Sequence, residues 1–140
     1  MKRKRFLAFV LSIILLIPIM TNGVFARWSY TGDVTITHSY SKGTAYHSVY
    51  IEMVSGATIS NVSIKLQKRV STNSYSTVKP WTNVQPSYSY GGSPNAFEYT
   101  NSYSGTIDLY CYYRILFTAT VTKNGSSEYI EIPSNDVYYY

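Results

Sequence analysis

Polar and apolar residues alternate along most of this chain. In DVTITHSY, residues 33–40, Val34, Ile36, His38 and Tyr40 share one parity, and Thr35, Thr37 and Ser39 share the other. Successive side chains of an extended strand point to opposite faces, so this spacing predicts a half-buried strand. SKGTA is a turn. YHSVYIEMV then alternates with Val49, Ile51 and Met53 facing one way and Tyr50 and Glu52 the other. After SGAT, ISNVSIKLQKRV sets Val62, Ile64 and Leu66 inward against Ser63, Lys65 and Gln67. STNSYS reads as a polar loop and TVKPWT as a short strand. Pro80 has no N–H for a ladder, which puts that strand at an edge or a bulge.

Residues 83–95, NVQPSYSYGGSPN, hold two prolines and two glycines and form the longest expected loop. Loops of this length in compact domains are often functional. AFEYTNSY is a further short strand. The most regular stretch is GTIDLYCYYRILFTATVTKNGSSEYIEI, residues 105–132. Cys111, Tyr113, Ile115, Phe117, Ala119 and Val121 fall on its core face; Tyr110, Tyr112, Arg114, Leu116, Thr118 and Thr120 fall on the other. Asn124-Gly125 is the strongest short hairpin signal and suits a type I′ turn. In EYIEI, Ile130 and Ile132 face the core with Glu128 on their side, and Pro133 ends the strand. The tail SNDVYYY is exposed or forms a final edge strand. Short strands at this spacing predict an all-β, single-domain antiparallel β-sandwich, with a small barrel as the alternative.

The first residues depart from this pattern. MKRKR is a basic block, and FLAFVLSIILLIPIM is uncharged. Val24 and Ala26 in TNGVFA are spaced as a small-x-small cleavage site. That order is a secretory signal peptide over residues 1–26, with cleavage between Ala26 and Arg27 leaving a secreted domain, residues 27–140. An uncleaved anchor is the rival reading; the apolar run is at the lower edge of a membrane span and Pro18 interrupts it. The signal's make-up is that of a Gram-positive exported protein. The expected localisation is extracellular, with membrane contact only through the signal during export.

Export changes the charge picture. The formal net charge is +5, but four of the twelve basic residues are Lys2, Arg3, Lys4 and Arg5. The eight that remain face all seven acidic residues, which leaves +1 for residues 27–140. No basic patch is left to hold phosphates, so nucleic acid is excluded as a partner. One cysteine permits no internal disulfide, so the domain must hold on its core alone. All sixteen tyrosines lie after the signal.

The chemistry available is narrow. Hydrolytic triads need a nucleophile, a base and an orienting group. His38 and His47 read as half-buried, satisfied histidines, and Cys111 as a buried, inert thiol. The carboxylates are scattered singly, whereas a glycosidase needs a pair in a cleft. Two histidines and one buried cysteine do not make a zinc set, and no calcium or phosphate loop is present. The chain reads as a non-enzyme with no catalytic, metal or cofactor residues. Asn61-Val-Ser63 and Asn124-Gly-Ser126 are formal glycosylation sequons. Binding remains. Tyrosine offers a flat apolar face with a polar tip, and Tyr110, Tyr112 and Arg114 share one strand face about 7 Å apart. These three are the expected ligand contacts, toward a cell-wall polysaccharide or a surface protein. Tyr88, Tyr90 and Tyr138 to Tyr140 are further candidates. The competing reading is that tyrosines pair across strands simply to stabilise sheets.

YYRILFTATVTKNGSSEYI resembles the last two strands of immunoglobulin-like and fibronectin type III-like domains. VSIKLQKRVSTNSYSTVKPWT resembles the middle of small secreted β-sandwich proteins of Firmicutes. Ile64, Leu66, Gln67, Lys68, Val78, Tyr113, Arg114 and Gly125 carry the likeness, over about residues 60–132. Where members have a tryptophan before the second strand, Tyr75 stands nearby here and Trp81 comes later. The resemblance implies a secreted, non-enzymatic immunoglobulin-like domain and supplies no site. WSYTG and HSYSKGTAYHSV are loosely similar to the start of lactococcin-type bacteriocins, which implies a secreted antagonist as the alternative function.

Overall fold

In the computed structural model residues 28–140 are described; the expected signal peptide over residues 1–26 and the expected Ala26–Arg27 cleavage lie outside the described residues. Nine strands follow: β1 (Thr31–Ser41), β2 (Thr44–Met53), β3 (Thr58–Ser71), β4 (Ser74–Thr82), β5 (Tyr88–Tyr90), β6 (Asn95–Tyr103), β7 (Cys111–Lys123), β8 (Ser126–Pro133) and β9 (Val137–Tyr139). They form two antiparallel sheets, ordered β1-β2-β6-β5 and β4-β3-β7-β8, with β9 also paired to β7. The fold is a sandwich of two open sheets, not the closed barrel held as an alternative. Hairpins β1–β2, β3–β4, β5–β6 and β7–β8 each stay within one sheet; the chain crosses between sheets after each of the first three, and after the fourth it stays in the same sheet as β9.

The period-two pattern explains the strands. On β2, Val49, Ile51 and Met53 are buried; on β3, Val62, Ile64 and Leu66; on β7, Tyr113, Ile115, Phe117, Ala119 and Val121. The expected turns also form. Lys42-Gly43 and Asn124-Gly125 both have positive φ at each residue, which the two-residue type I′ hairpin requires. Pro80 lies on β4, the edge of its sheet, where the register slips between Leu66 and Gln67. Glu128 shares the core parity of Ile130, yet it is satisfied at the rim of the sandwich. Its carboxylate accepts the backbone N–H of Ser29 (2.8 Å) and Tyr30 (2.9 Å) and the hydroxyl of Thr31 (3.0 Å), strapping the start of the described chain to β8.

Several expectations need correction. The 71–76 loop is only a tight turn at Thr72 and Asn73, and β4 starts at Ser74. The long loop contains β5, which pairs with β6. Gln67 points to the outer side but is buried, because Arg114 lies over it. Cys111 is half-buried instead of buried, since it opens β7 at the end of the core.

The tail matters most. β9 continues the edge of β7 that β8 leaves at Pro133, with Cys111 opposite Tyr139 and Tyr113 opposite Val137. Tyr139, taken from sequence as an exposed candidate, is instead 1% exposed. Its ring stacks on Tyr113 at 4.4 Å and on Tyr40 at 5.1 Å, so three rings run from one sheet to the other. Its hydroxyl lies 3.0 Å from Nδ1 of His38. Tyr113 is fixed from a second direction: its hydroxyl donates to the carbonyl of Asp108 (2.9 Å) and accepts that residue's N–H (3.0 Å).

Removing the central ring should leave a cavity between the sheets. Tyr139→Ala is expected to lower the free energy of unfolding by about 3–5 kcal/mol, and Tyr139→Phe, which loses only the His38 bond, by about 1 kcal/mol. Urea denaturation of the two variants checks the order. Gly125 has φ +78 and nothing within 4 Å of an added Cβ, so Gly125→Ala tests backbone strain alone. It should cost about 1 kcal/mol in the same measurement.

Candidate functional site

The three expected contact residues do not form one strand face. Tyr110 lies just before β7 with φ +60, so strand parity does not reach it. Its N–H instead donates to the carbonyl of Tyr139 (2.6 Å), and its side chain is 73% exposed. Arg114 is on the outer face but is already engaged. Its guanidinium carbon sits 3.4 Å from the centroid of Tyr75, and its Nε donates to Oε1 of Gln67 at 2.9 Å. Gln67 lies directly across from Arg114 on β3, so this is a cross-strand pair with a ring laid on top.

Arg69 takes the place that Arg114 was expected to fill. Its guanidinium carbon is 4.1 Å from the centroid of Tyr112, and Nη1 donates to Oδ2 of Asp136 at 3.0 Å. Asp136 also accepts the Tyr75 hydroxyl, at 3.0 and 3.1 Å. On its other flank Tyr112 meets Tyr138 at 4.9 Å, the residue opposite it on β9. Tyr140 follows at 6.4 Å from Tyr138. Tyr112, Tyr138 and Tyr140 remain 41%, 42% and 82% exposed. Tyr110 and Tyr112 line one side of a shallow groove of about 370 Å³, and Arg69, Val70, Ser71 and Thr72 line the other.

The result is a tyrosine platform on the outer face of the β7–β9 edge. The Arg69–Asp136 pair offsets one of the two arginine charges here; Arg114 has no acidic partner among the described residues. Arg69 holds the exposed Tyr112 ring by cation–π contact, while Arg114 makes the same contact with Tyr75, which is not one of the exposed rings. Parity placed Tyr112 and Arg69 outward, but only the β3–β7 register sets them opposite each other. Tyr88 and Tyr90 form a separate cluster on the other sheet. They lie 4.4 Å apart, with Tyr50 6.3 Å from Tyr90 and its hydroxyl donating to Glu52. That bond pushes the Tyr50 hydroxyl up from its ordinary pKa.

The histidines lie inside the sandwich, facing each other across β1 and β2. His38 is satisfied: Nε2 donates to the carbonyl of Asn135 at 3.0 Å, leaving Nδ1 to accept from Tyr139. This assigns the neutral ring with its proton on Nε2. Burial lowers the His38 pKa, opposed by the Asn135 bond and the Asp136 charge. His47 was expected to be satisfied as well, and it is not. It is 5% exposed and packed 4.6 Å from Trp81, and its Nε2 has no partner among the described residues. Burial, with His38 beside it, lowers its pKa to about 4.

A folded pKa of about 4 against an unfolded value near 6.5 sets the pH dependence. Above about pH 6.5 His47 is neutral in both states and its contribution is complete. Between 6.5 and 4 the unfolded chain binds a proton that the folded one refuses, so stability falls as pH falls. The linked loss is about 3 kcal/mol. His47→Phe keeps the ring packing and removes this titration. Relative to the parent, the variant should gain about 3 kcal/mol between pH 7 and pH 4 in urea denaturation; parallel profiles would refute the assignment.

Comparisons with protein-family models, with curated proteins and with solved structures each find no match, so the platform's geometry and chemistry carry the functional reading.

Proposed function

We propose that this protein is a secreted, non-catalytic binding module of immunoglobulin-like type that grips a cell-wall polysaccharide through its tyrosine platform. Two features support the fold type. The sheet order β1-β2-β6-β5 against β4-β3-β7-β8 follows the A-B-E-D and C′-C-F-G order of such sandwiches. The Tyr113 hydroxyl bound to the backbone of Asp108 resembles a tyrosine corner, near the start of β7, which is strand F in that scheme. Among the described residues there is no disulfide and β3 carries no tryptophan; the stacked Tyr40, Tyr139 and Tyr113 rings fill that part of the core.

One observation carries the binding reading. Tyr112 is clamped between Arg69 and Tyr138, yet 41% of it stays open to solvent. The exposed part of that ring is open to contact with a ligand. A held, exposed ring costs little further entropy when a ligand stacks on it. Polysaccharide is favoured over a protein partner because the platform is a row of exposed tyrosines, its Arg69 charge is paired with Asp136, and it is edged by the hydroxyls of Ser71 and Thr72. Sugar rings offer apolar faces to stack on and hydroxyls to pair with tyrosine tips.

The test is retention of purified protein on insoluble cell-wall material. Replacing both Tyr112 and Tyr138 by Ala should weaken retention about tenfold or more, with a stability loss of only about 1 kcal/mol. Arg114→Ala should do the reverse. It leaves buried Gln67 without its donor, costing about 1–2 kcal/mol, while retention is kept. Unchanged retention in the double variant would sink the platform. Retention that survives glycan digestion but not protease would assign it to a surface protein instead.

A further inference from the structure

The crossing from β4 to β5 builds a second concavity, far from the platform. Residues 83–87 leave one sheet and join the other, tied by Val84 N–H to the Val62 carbonyl (3.1 Å) and Ser87 N–H to the Glu98 carbonyl (2.7 Å). Under this bridge lies a cleft of about 480 Å³ between the start of β3 and the start of β6. That volume is in the range of sites for small ligands. Val62 and Val84 supply an apolar wall, Phe97 and Tyr99 aromatic surface, and Asn83 and Gln85 amide groups. No Asp, Glu, Lys, Arg or His lines it.

Tyr99 is the unusual member. It is 1% exposed, and its hydroxyl has no hydrogen-bond partner among the described residues. Burying an unpaired hydroxyl destabilises a fold by about 1–3 kcal/mol, and phenylalanine would fill the same space without that cost. Burial raises the hydroxyl pKa to about 12, so it stays neutral and can both donate and accept. Asn61 and Asn83, on the two walls, adopt left-handed backbone with φ 52 and 51.

We propose that this cleft is a binding site for a neutral sugar unit, with the Tyr99 hydroxyl as its buried hydrogen-bonding group. The chemistry selects the class. An uncharged lining offers nothing to an acid, a phosphate or an ammonium group. Side-chain amides and a hydroxyl beside aromatic faces match a ring with alternating hydroxyls and C–H surface. The site stands apart from the tyrosine platform: Val62 and Arg69 are seven residues apart on β3, about 23 Å along the strand.

The experiment is amide chemical-shift titration of the purified protein with three probes. They are a neutral glucose tetrasaccharide, an N-acetylated hexosamine tetrasaccharide and an acidic galacturonate oligomer. At least one neutral sugar should give saturable shifts at residues 83–86 and 95–99, with Kd about millimolar or tighter. Tyr99→Phe should weaken it about tenfold while leaving Tm unchanged or higher, because the lost hydroxyl supported no bond in the free protein. Gln85→Ala, at an exposed position, gives a second variant that cannot fail by misfolding and should also weaken binding. The variant lacking Tyr112 and Tyr138 should keep these shifts, so failure of the platform and failure of the cleft are separable. No saturable shift, equal affinity in Tyr99→Phe, or occupancy by the acidic oligomer alone overturns the proposal.

Discussion

The stack of Tyr40, Tyr139 and Tyr113 is the constraint on which the rest of this sandwich depends. Two sheets with a single cysteine cannot be pinned covalently, so their separation is set by what fills the gap. Three rings in series, at 5.1 and 4.4 Å, fill it at the end where β7 begins. The central ring comes from a three-residue strand at the extreme C-terminus. Two of the three rings are also held by hydrogen bonds: Tyr113 by the Asp108 backbone, and the central Tyr139 by His38. Burial of apolar area is the driving force, and these directional contacts give the core one arrangement.

The same three residues tie the core to the surface. Strand alternation sends Tyr139 inward, so Tyr138 must point out, where it meets Tyr112. The platform's aromatic row is therefore a geometric consequence of the core stack. Asp136, just before β9, closes the arrangement by holding Arg69 and Tyr75 together. A tail that reads as exposed or as a final edge strand thus carries a core ring, a platform ring and the acid that pairs with Arg69.

Where local alternation governs, the sequence was legible. The buried face of β7, the inward sets of β2 and β3, the Asn124-Gly125 turn and the edge position of Pro80 all follow from period two and turn chemistry. The misses share one cause: they depend on partners distant in the chain. Tyr110 breaks parity through a positive φ that helps set its N–H against the Tyr139 carbonyl. Gln67 is buried because register places Arg114 across from it, and Tyr75 then covers Arg114. Arg69 joins Tyr112 for the same reason. Of the three expected contacts, Tyr112 sits outward as parity requires, while the placements of Tyr110 and Arg114 follow from topology. The cleft under residues 83–87 was foreshadowed only as a long loop, because a crossover's shape depends on both sheets it joins.

If both proposed binding surfaces hold, their placement at opposite ends of β3 has a mechanical consequence. The strands between them are buried on their inner face and hydrogen-bonded to neighbours on both sides, so the span of about 23 Å is stiff. Two sites on a stiff span cannot close on one short ligand. A single polymer reaching both must be long enough to follow the sandwich, and then the second contact is intramolecular and strengthens the first without new chemistry. Short fragments would meet each site separately and gain nothing from the other. The rigidity that comes from the stacked tyrosines would in this way favour long glycan chains over their fragments, a selectivity that neither site possesses alone.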